Sequence, residues 1–292
     1  MPTFDDWKAH GERIAVDLGG QTFHIWTRRQ GSGPTLTLLH GFPTSSFDWA
    51  ETIAQLPDFD ILTLDFLGFG DSDKPADHLY SIHEQANIVE AVWSHFGIRA
   101  TDLVVHDYAV SVTQELLARR LERRLTVDLG SAVFLNGGIY PDLHRALPAQ
   151  EALLDPEKGP VISQMVTEET YTASLLMTFP PARQPSAATL HELWRCVENR
   201  DGHRIGYRLI RYMLDRRQYA ARWTSALEKT DVARRFVWGM LDPISGGHVV
   251  PRIRERMPGC PVVCLDDVGH WPALEKPDAV VAAIRASTVA AH

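Results

Sequence analysis

Cysteine is scarce: 292 residues carry three, Cys196, Cys260 and Cys264. An odd count without CxxC spacing argues against a disulfide framework and against a zinc ribbon. Cys260 and Cys264 flank the strand-like run PVVCL and read as buried structural thiols, in keeping with a reducing, cytoplasmic setting. Positive charge is also short. Lys and Arg number 29 against 37 Asp and Glu, a net charge of −8, whereas nucleic-acid binding usually needs a basic face. No apolar run approaches the roughly 20 residues of a membrane helix. The opening MPTFDDWKAH is acidic and polar rather than secretory, and its DDW stretch reads as a solvated face. Repeats, low-complexity tracts and long charge runs are missing. No spaced His/Cys/Asp cluster or phosphate-binding glycine loop occurs, so neither a metal nor an organic cofactor is expected. The GxGxxD form within LDFLGFGDSD fits a loop after a strand.

What is present is an ordinary globular composition, 45% hydrophobic and 23% charged, long enough for one large domain with an insert or for two modest ones. The first half alternates strand-like runs with amphipathic helical ones, the pattern of an α/β sheet with helices on its faces. RIAVDLGGQTFHIWTR predicts a hairpin turning at Gly19-Gly20. TLTLLH (35–40), FDILTLDF (59–66), DLVVHD (102–107) and SAVFLN (131–136) predict strands, the first fully buried by its continuous apolar character. SIHEQANIVEAVWSHF puts Ile82, Ala86, Val89, Val92 and Trp93 near a 3.6 period and predicts a helix. VSVTQELLARRLERRL predicts another, its basic residues towards the C-terminal end, where they suit the dipole. From about Gly138 to Lys229 there are Pro-rich joints, aromatic residues and helix-like segments but no convincing strand. The alternation resumes with RRFVWGM (234–240), a helix, PVVCLD (261–266) and a helix from about Ala273. The expected organisation is a core of residues 1–137 and 229–292 interrupted by a helical cap, 138–228.

Three residues stand at the ends of predicted strands. Asp107, in VVHDYAVSV, sits at a strand–turn–helix joint, where an isolated Asp is most often a helix cap. Asp242, in VWGMLDPISG, follows a second strand and would otherwise be a turn residue at its Asp-Pro step. His270, in LDDVGHWPALEKP, follows a third. Catalytic groups of such sheets gather beyond the carboxyl ends of the strands, and the order nucleophile, acid, histidine is that of the α/β-hydrolase triad. A carboxylate is a poor nucleophile towards amides. It can attack an sp3 carbon bearing a strained or good leaving group, giving an alkyl-enzyme ester and splitting one hard step into two. His270, oriented by Asp242, would then activate water to hydrolyse that ester. Asp266 and Asp267 read as loop or capping groups, His40 and His106 as structural, and His248 as a surface residue.

The stretches HGFPTSSFDW (40–49), LDFLGFGDSDKP (64–75), HDYAVSVTQELL (106–117) and LNGGIYPDLHR (135–145) resemble the α/β-hydrolases of the epoxide hydrolase and haloalkane dehalogenase branch. Together with LHELW (190–194) and RDG (200–202) they resemble most closely the mesoderm-specific transcript subfamily. The resemblance spans nearly the whole chain. It implies a mostly parallel eight-stranded sheet flanked by helices, with a helical cap inserted after the sixth strand. It also implies an oxyanion hole formed by the backbone N–H groups of Phe42 and Tyr108. The chain departs from the usual pattern at the elbow, where residue 105 is Val and residue 109 is Ala instead of glycine.

The two aspartate chemistries treat the leaving group differently. An epoxide oxygen needs a proton or a strong hydrogen bond, which cap tyrosines supply in epoxide hydrolases. A halide needs N–H donors, usually a Trp after the nucleophile and an Asn or Trp elsewhere. Here residue 108 is Tyr and residue 42 is Phe, so the halide cradle is largely missing unless Trp194 or Trp223 compensates. Tyr140, Tyr171, Tyr207, Tyr212 and Tyr219 lie in the helical segment, with Tyr212 the first candidate for a proton donor and Tyr171 the second. The leading expectation is hydrolysis of a small or medium apolar epoxide to a vicinal diol, with water as co-substrate. Haloalkane dehalogenation, ester or lactone hydrolysis, and a non-catalytic ligand- or partner-binding homologue are the alternatives.

Overall fold

The computed structural model describes residues 1–288. Eight strands, β1 (Glu12–Leu18), β2 (Gln21–Gln30), β3 (Thr35–Leu39), β4 (Asp60–Leu64), β5 (Ala100–His106), β6 (Asp128–Leu135), β7 (Ala233–Gly239) and β8 (Val262–Leu265), form one sheet in the order β1-β2-β4-β3-β5-β6-β7-β8. β1 and β2 form the predicted hairpin, and β2 also runs antiparallel to β4; every other pairing is parallel. The continuous apolar runs follow from burial on both faces. Leu103 and Val105 of β5 join one core cluster, with Phe134 of β6, while Val104 joins the other, with Val133 and Leu135. A period of two thus sends alternate residues to opposite sides of the sheet, and neither side is wet.

Two helices flank the central strands. Ile82–His95 is capped by the Ser81 hydroxyl, which accepts from Glu84 N–H at 3.2 Å, a contact worth about 1 kcal/mol. Tyr108–Leu121 begins directly after Asp107 and stops at Leu121, so the ERRL end of the predicted helix lies beyond it, with Arg123 at φ 58°. The C-terminal helix is split into Pro272–Glu275 and Pro277–Thr288, since Pro277 offers no N–H and restricts the residue before it. A short helix not anticipated from sequence, Phe4–Ala9, buries Phe4 and Trp7 while Asp5 and Asp6 stay exposed. Cys196 is buried, but Cys260 and Cys264 are half-exposed, because β8 is the edge strand.

Between β6 and β7 the described residues form helices only. Polar contacts tie this segment to the sheet. Asp215 accepts from Ile82 N–H at 2.9 Å, Asn199 Nδ2 donates to Gly70 O at 2.9 Å, and Arg222 and Trp223 each donate to buried Glu115 at 2.9 Å. With Arg119 also donating at 2.9 Å, Glu115 is a fully paired interior carboxylate, held below its usual range against burial by those three donors. Among the described residues no helix is long and apolar enough to cross a membrane.

Candidate active site

Asp107 immediately follows β5 and immediately precedes the Tyr108–Leu121 helix, with φ 43° and ψ −98°. A non-glycine residue rarely adopts a positive φ, and such strain persists only where the surroundings over-determine it. Here they do. Val105 and Ala109 are fully buried, and glycines on two neighbouring loops leave room for the turn. A Cβ on Gly41 would lie 2.8 Å from His106 Nδ1 and 3.0 Å from Asp107 Cβ, and one on Gly137 3.1 Å from Asp107 O. Phe42 follows Gly41 and directs its N–H to Asp107 Oδ2 at 3.1 Å.

Asp242 follows β7 and His270 follows β8, so parallel pairing of β5 through β8 brings both to the same end of the sheet as Asp107. His270 Nδ1 donates to Asp242 Oδ2 at 2.8 Å. The same oxygen accepts from Ser245 Oγ at 2.9 Å and Asn136 Nδ2 at 3.0 Å, and Oδ1 accepts from Ile244 N–H at 2.7 Å. Burial alone would raise this carboxyl, but the charge of His270, with the hydrogen bonds, holds it far below the usual range. Burial opposes the imidazolium of His270, yet Asp242, the bond to it and then Asp107 raise His270 to about 8. The loop bearing His270 is clamped on both sides. Its N–H donates to Thr178 O at 3.0 Å, and Glu275 accepts from Gly269 N–H at 2.8 Å and Trp271 N–H at 3.0 Å.

His106 donates through Nε2 to His270 O at 2.7 Å and is neutral, its pKa lowered to about 4 by burial and then by His270. It and His40 are interior groups that shape the loops. His248 is half-buried rather than superficial and donates to Leu143 O at 3.0 Å. Asp267 pairs with Lys276 at 2.9 Å and with Arg183.

Asp107 and His270 line a cavity of about 430 Å³. Its walls are mainly apolar, with Phe69, Leu147, Ile162, Met165, Leu175 and Trp271 among them. Tyr171 is also on the wall, and its buried hydroxyl has no hydrogen-bond partner among the described residues. Tyr212, the first candidate from sequence, is not on that wall. Its ring packs behind it, 5.8 Å from Phe42 and 5.0 Å from Tyr108. Trp223 does not face the site, since its N–H is given to Glu115.

Two site residues were given no role from the sequence. Asn136, at the end of β6, fixes Asp242 and also accepts from Gly239 N–H at 2.6 Å. Arg216 reaches from the Tyr212–Gln218 helix to the strained turn at Asp107: Nη2 donates to Asp107 O at 3.0 Å and lies 3.5 Å from Asp107 Oδ1, while Nε donates to Ser111 Oγ at 2.6 Å. Burial would raise Asp107, but Arg216 first, then His270 and His106, keep it below the normal carboxylate range.

A mostly parallel eight-stranded sheet, with an acid–histidine pair and a strained turn at the carboxyl ends of its strands, defines the α/β-hydrolase fold. The chain belongs to the alpha/beta hydrolase family, whose profile matches residues 38–283. It is 38% identical over 279 residues to LipZ of Mycobacterium tuberculosis, covering 95% of each chain. It is also 38% identical over 284 residues to the mesoderm-specific transcript homolog protein of Homo sapiens, covering 94% of this chain and 85% of that one, in line with the subfamily resemblance. Among solved structures, the haloalkane dehalogenase DbeA from Bradyrhizobium elkani superposes with a TM-score of 0.78 at 20% identity, over 96% of this chain and 99% of that one, a likeness of fold.

Proposed function

We propose that the protein hydrolyses apolar epoxides to vicinal diols through a covalent ester on Asp107. The observation that carries this reading is a carboxylate, rather than a hydroxyl or thiol, at the strained elbow facing an apolar cavity beside the His270–Asp242 pair. Residues 138–228 serve as the cap that supplies much of the cavity wall.

In the first half-reaction Asp107 Oδ1 attacks a ring carbon, the C–O bond breaks, and its electron pair goes to the epoxide oxygen. Tyr171 polarises that oxygen by hydrogen bonding. The proton that ends on it comes from solvent by way of the Tyr171 hydroxyl, and the hydroxide left behind takes the proton of His270, which with a pKa of about 8 is protonated in the resting enzyme at neutral pH. Alkylation cancels the charge of Asp107, one of the groups that raises His270. Ester formation therefore turns the histidine towards its neutral form, the one a general base needs. In the second half-reaction water adds to Cγ of Asp107 and its proton passes to His270. The oxygen charge that develops falls to the N–H groups of Phe42 and Tyr108, a contribution of roughly 3–4 kcal/mol per donor. The Cγ–Oδ1 bond then breaks, Oδ1 takes the remaining proton of the added water and leaves in the diol, and Asp107 and His270 return charged. The Tyr at 108 and the Phe at 42 disfavour halide, because neither presents the side-chain N–H that a halide cradle needs.

The test is intact-protein mass spectrometry of His270→Gln mixed with pooled terminal epoxides and bromoalkanes. The proposal requires an adduct equal to the whole mass of an epoxide, lost when Asp107→Ala is added. An adduct equal to a bromoalkane less HBr would assign dehalogenation. No adduct from folded protein would leave ester hydrolysis or a binding role.

A further inference from the structure

Arg216 is buried, with a side chain 3% exposed, and its hydrogen bonds go to the elbow. Nη2 bonds the carbonyl of Asp107 and faces Oδ1, Nε bonds Ser111 one helical turn on, and the guanidinium lies 4.4 Å from the centre of the Tyr212 ring. Gly138 makes room for it: a Cβ there would stand 2.5 Å from Nη1, a nitrogen with no hydrogen-bond partner among the described residues. The two oxygens of Asp107 therefore differ. Oδ2 is held by Phe42 N–H in the oxyanion position, whereas Oδ1, left to attack, looks towards a buried cation.

We propose that Arg216 is the charge partner that drives breakdown of the Asp107 ester in preference to its formation, an inference that rests on Asp107 being the nucleophile. The sign follows from where charge resides in each step. Before alkylation Arg216 faces a carboxylate, and their attraction stabilises the ground state and draws on the lone pair of Oδ1. In the ester that partner is neutral, so a buried guanidinium stands uncompensated, an unfavourable condition. Water attack restores negative charge at the Asp107 carboxyl, and the departing Oδ1 carries charge opposite Arg216 as Cγ–Oδ1 breaks. The cation thus opposes the first half-reaction and assists the second, so that the ester does not accumulate.

Other groups face Asp107 from each packed element: His106 from β5, His270 from the loop after β8 with Asp242 behind it, His40 after β3, His144 after β6, and Tyr212 beside Arg216. His144 and His106 have pKa values lowered to about 4, burial being the larger cause for each. They stay neutral across the working range, which leaves Asp107, His270 and Arg216 as the charges that change the two steps.

The experiment compares wild type, Arg216→Met and Arg216→Lys in single turnovers with styrene oxide, following ester formation and decay by rapid-quench mass spectrometry across pH. In Arg216→Met the ratio of hydrolysis to alkylation rate is expected to fall at least tenfold in mild alkali. Ester becomes visible at steady state with His270 intact, and the acid limb of alkylation moves to higher pH. Arg216→Lys restores part of the ratio. Equal slowing of both steps with an unmoved acid limb would overturn the proposal and leave Arg216 a packing residue. Carboxyl-carbon NMR titration of Asp107 in the same variants decides independently of turnover. A titration shifted upward in Arg216→Met supports the pairing even if no ester forms in His270→Gln, in which case it is the nucleophile reading that fails; an unshifted one refutes it.

Discussion

Asp48 is a carboxyl that the proposed chemistry does not use and that should cost the fold stability. It is 2% exposed, Oδ2 accepts from the Thr44 hydroxyl, and Oδ1 has no hydrogen-bond partner among the described residues. Burial pushes its pKa from 3.8 up to about 8, with Thr44 and His270 opposing and Asp65 adding to the rise. Between those two values the folded chain binds a proton that the unfolded chain has lost, so this group lowers stability as pH rises through the window. At neutral pH the penalty is about 4 kcal/mol, from roughly three pH units at about 1.4 kcal/mol each. Asp48→Asn cannot ionise in either state and can keep the Thr44 bond through its amide oxygen. Its amide nitrogen lacks a partner, at a cost of about 1–3 kcal/mol. The variant should therefore be more stable than wild type by about 1–3 kcal/mol at neutral pH, by more in mild alkali, and no more stable near the lower pKa. Urea unfolding at several pH values reads this directly. A stability difference that does not change with pH would refute it, since Asp48 would then ionise normally.

His270 supplies a second pH dependence of the same sign, over a narrower window. Its folded pKa of about 8 exceeds the ordinary 6.5, so its contribution is complete below about 6.5 and lost as pH rises through about 8. That amounts to about 2 kcal/mol, and His270→Gln should remove this slope from a pH series of melting curves. Glu115→Ala leaves Arg119, Arg222 and Trp223 without their common acceptor and should cost about 3–5 kcal/mol, measured by denaturant unfolding; a loss under 1 kcal/mol would contradict its place as a buried hub. Gly41→Ala places a methyl against His106 and Asp107 and should abolish turnover while the fold persists; near-normal kcat would show that the loop gives way easily. Tyr171→Phe should lower kcat for epoxides at least tenfold with little change in folding, and unaltered kinetics would remove Tyr171 from the mechanism.

Much of this architecture was legible because its signals are local. Period-two burial on both faces writes β5 and β6 as unbroken apolar runs, and the joint at Asp107 is visible as a strand passing straight into a helix. What was not legible acts across distance. Asn136 and Asp242 are 106 positions apart, and Arg216 and Asp107 bond across 109, with no spacing that links them. Choosing between Tyr212 and Tyr171 required knowing which side of each helix the cavity occupies, and helical periodicity marks a buried face without saying whether it meets core or void. The Phe4–Ala9 helix escaped because six residues are too few for a period to show. The half-exposed cysteines follow from β8 being an edge, a property of sheet order that the strand's own residues do not record.

The central claim is that Asp107 forms the ester, and isotope transfer tests it most directly. One turnover of excess enzyme with an epoxide in water labelled with the heavy oxygen isotope, followed by peptide mapping, locates the incoming atom. The account predicts label in the peptide containing Asp107 and an unlabelled first-turnover diol, because Oδ1 leaves with the product and water oxygen replaces it. Label in the diol with none in Asp107 would mean direct attack of water on the substrate, and the covalent mechanism would be wrong.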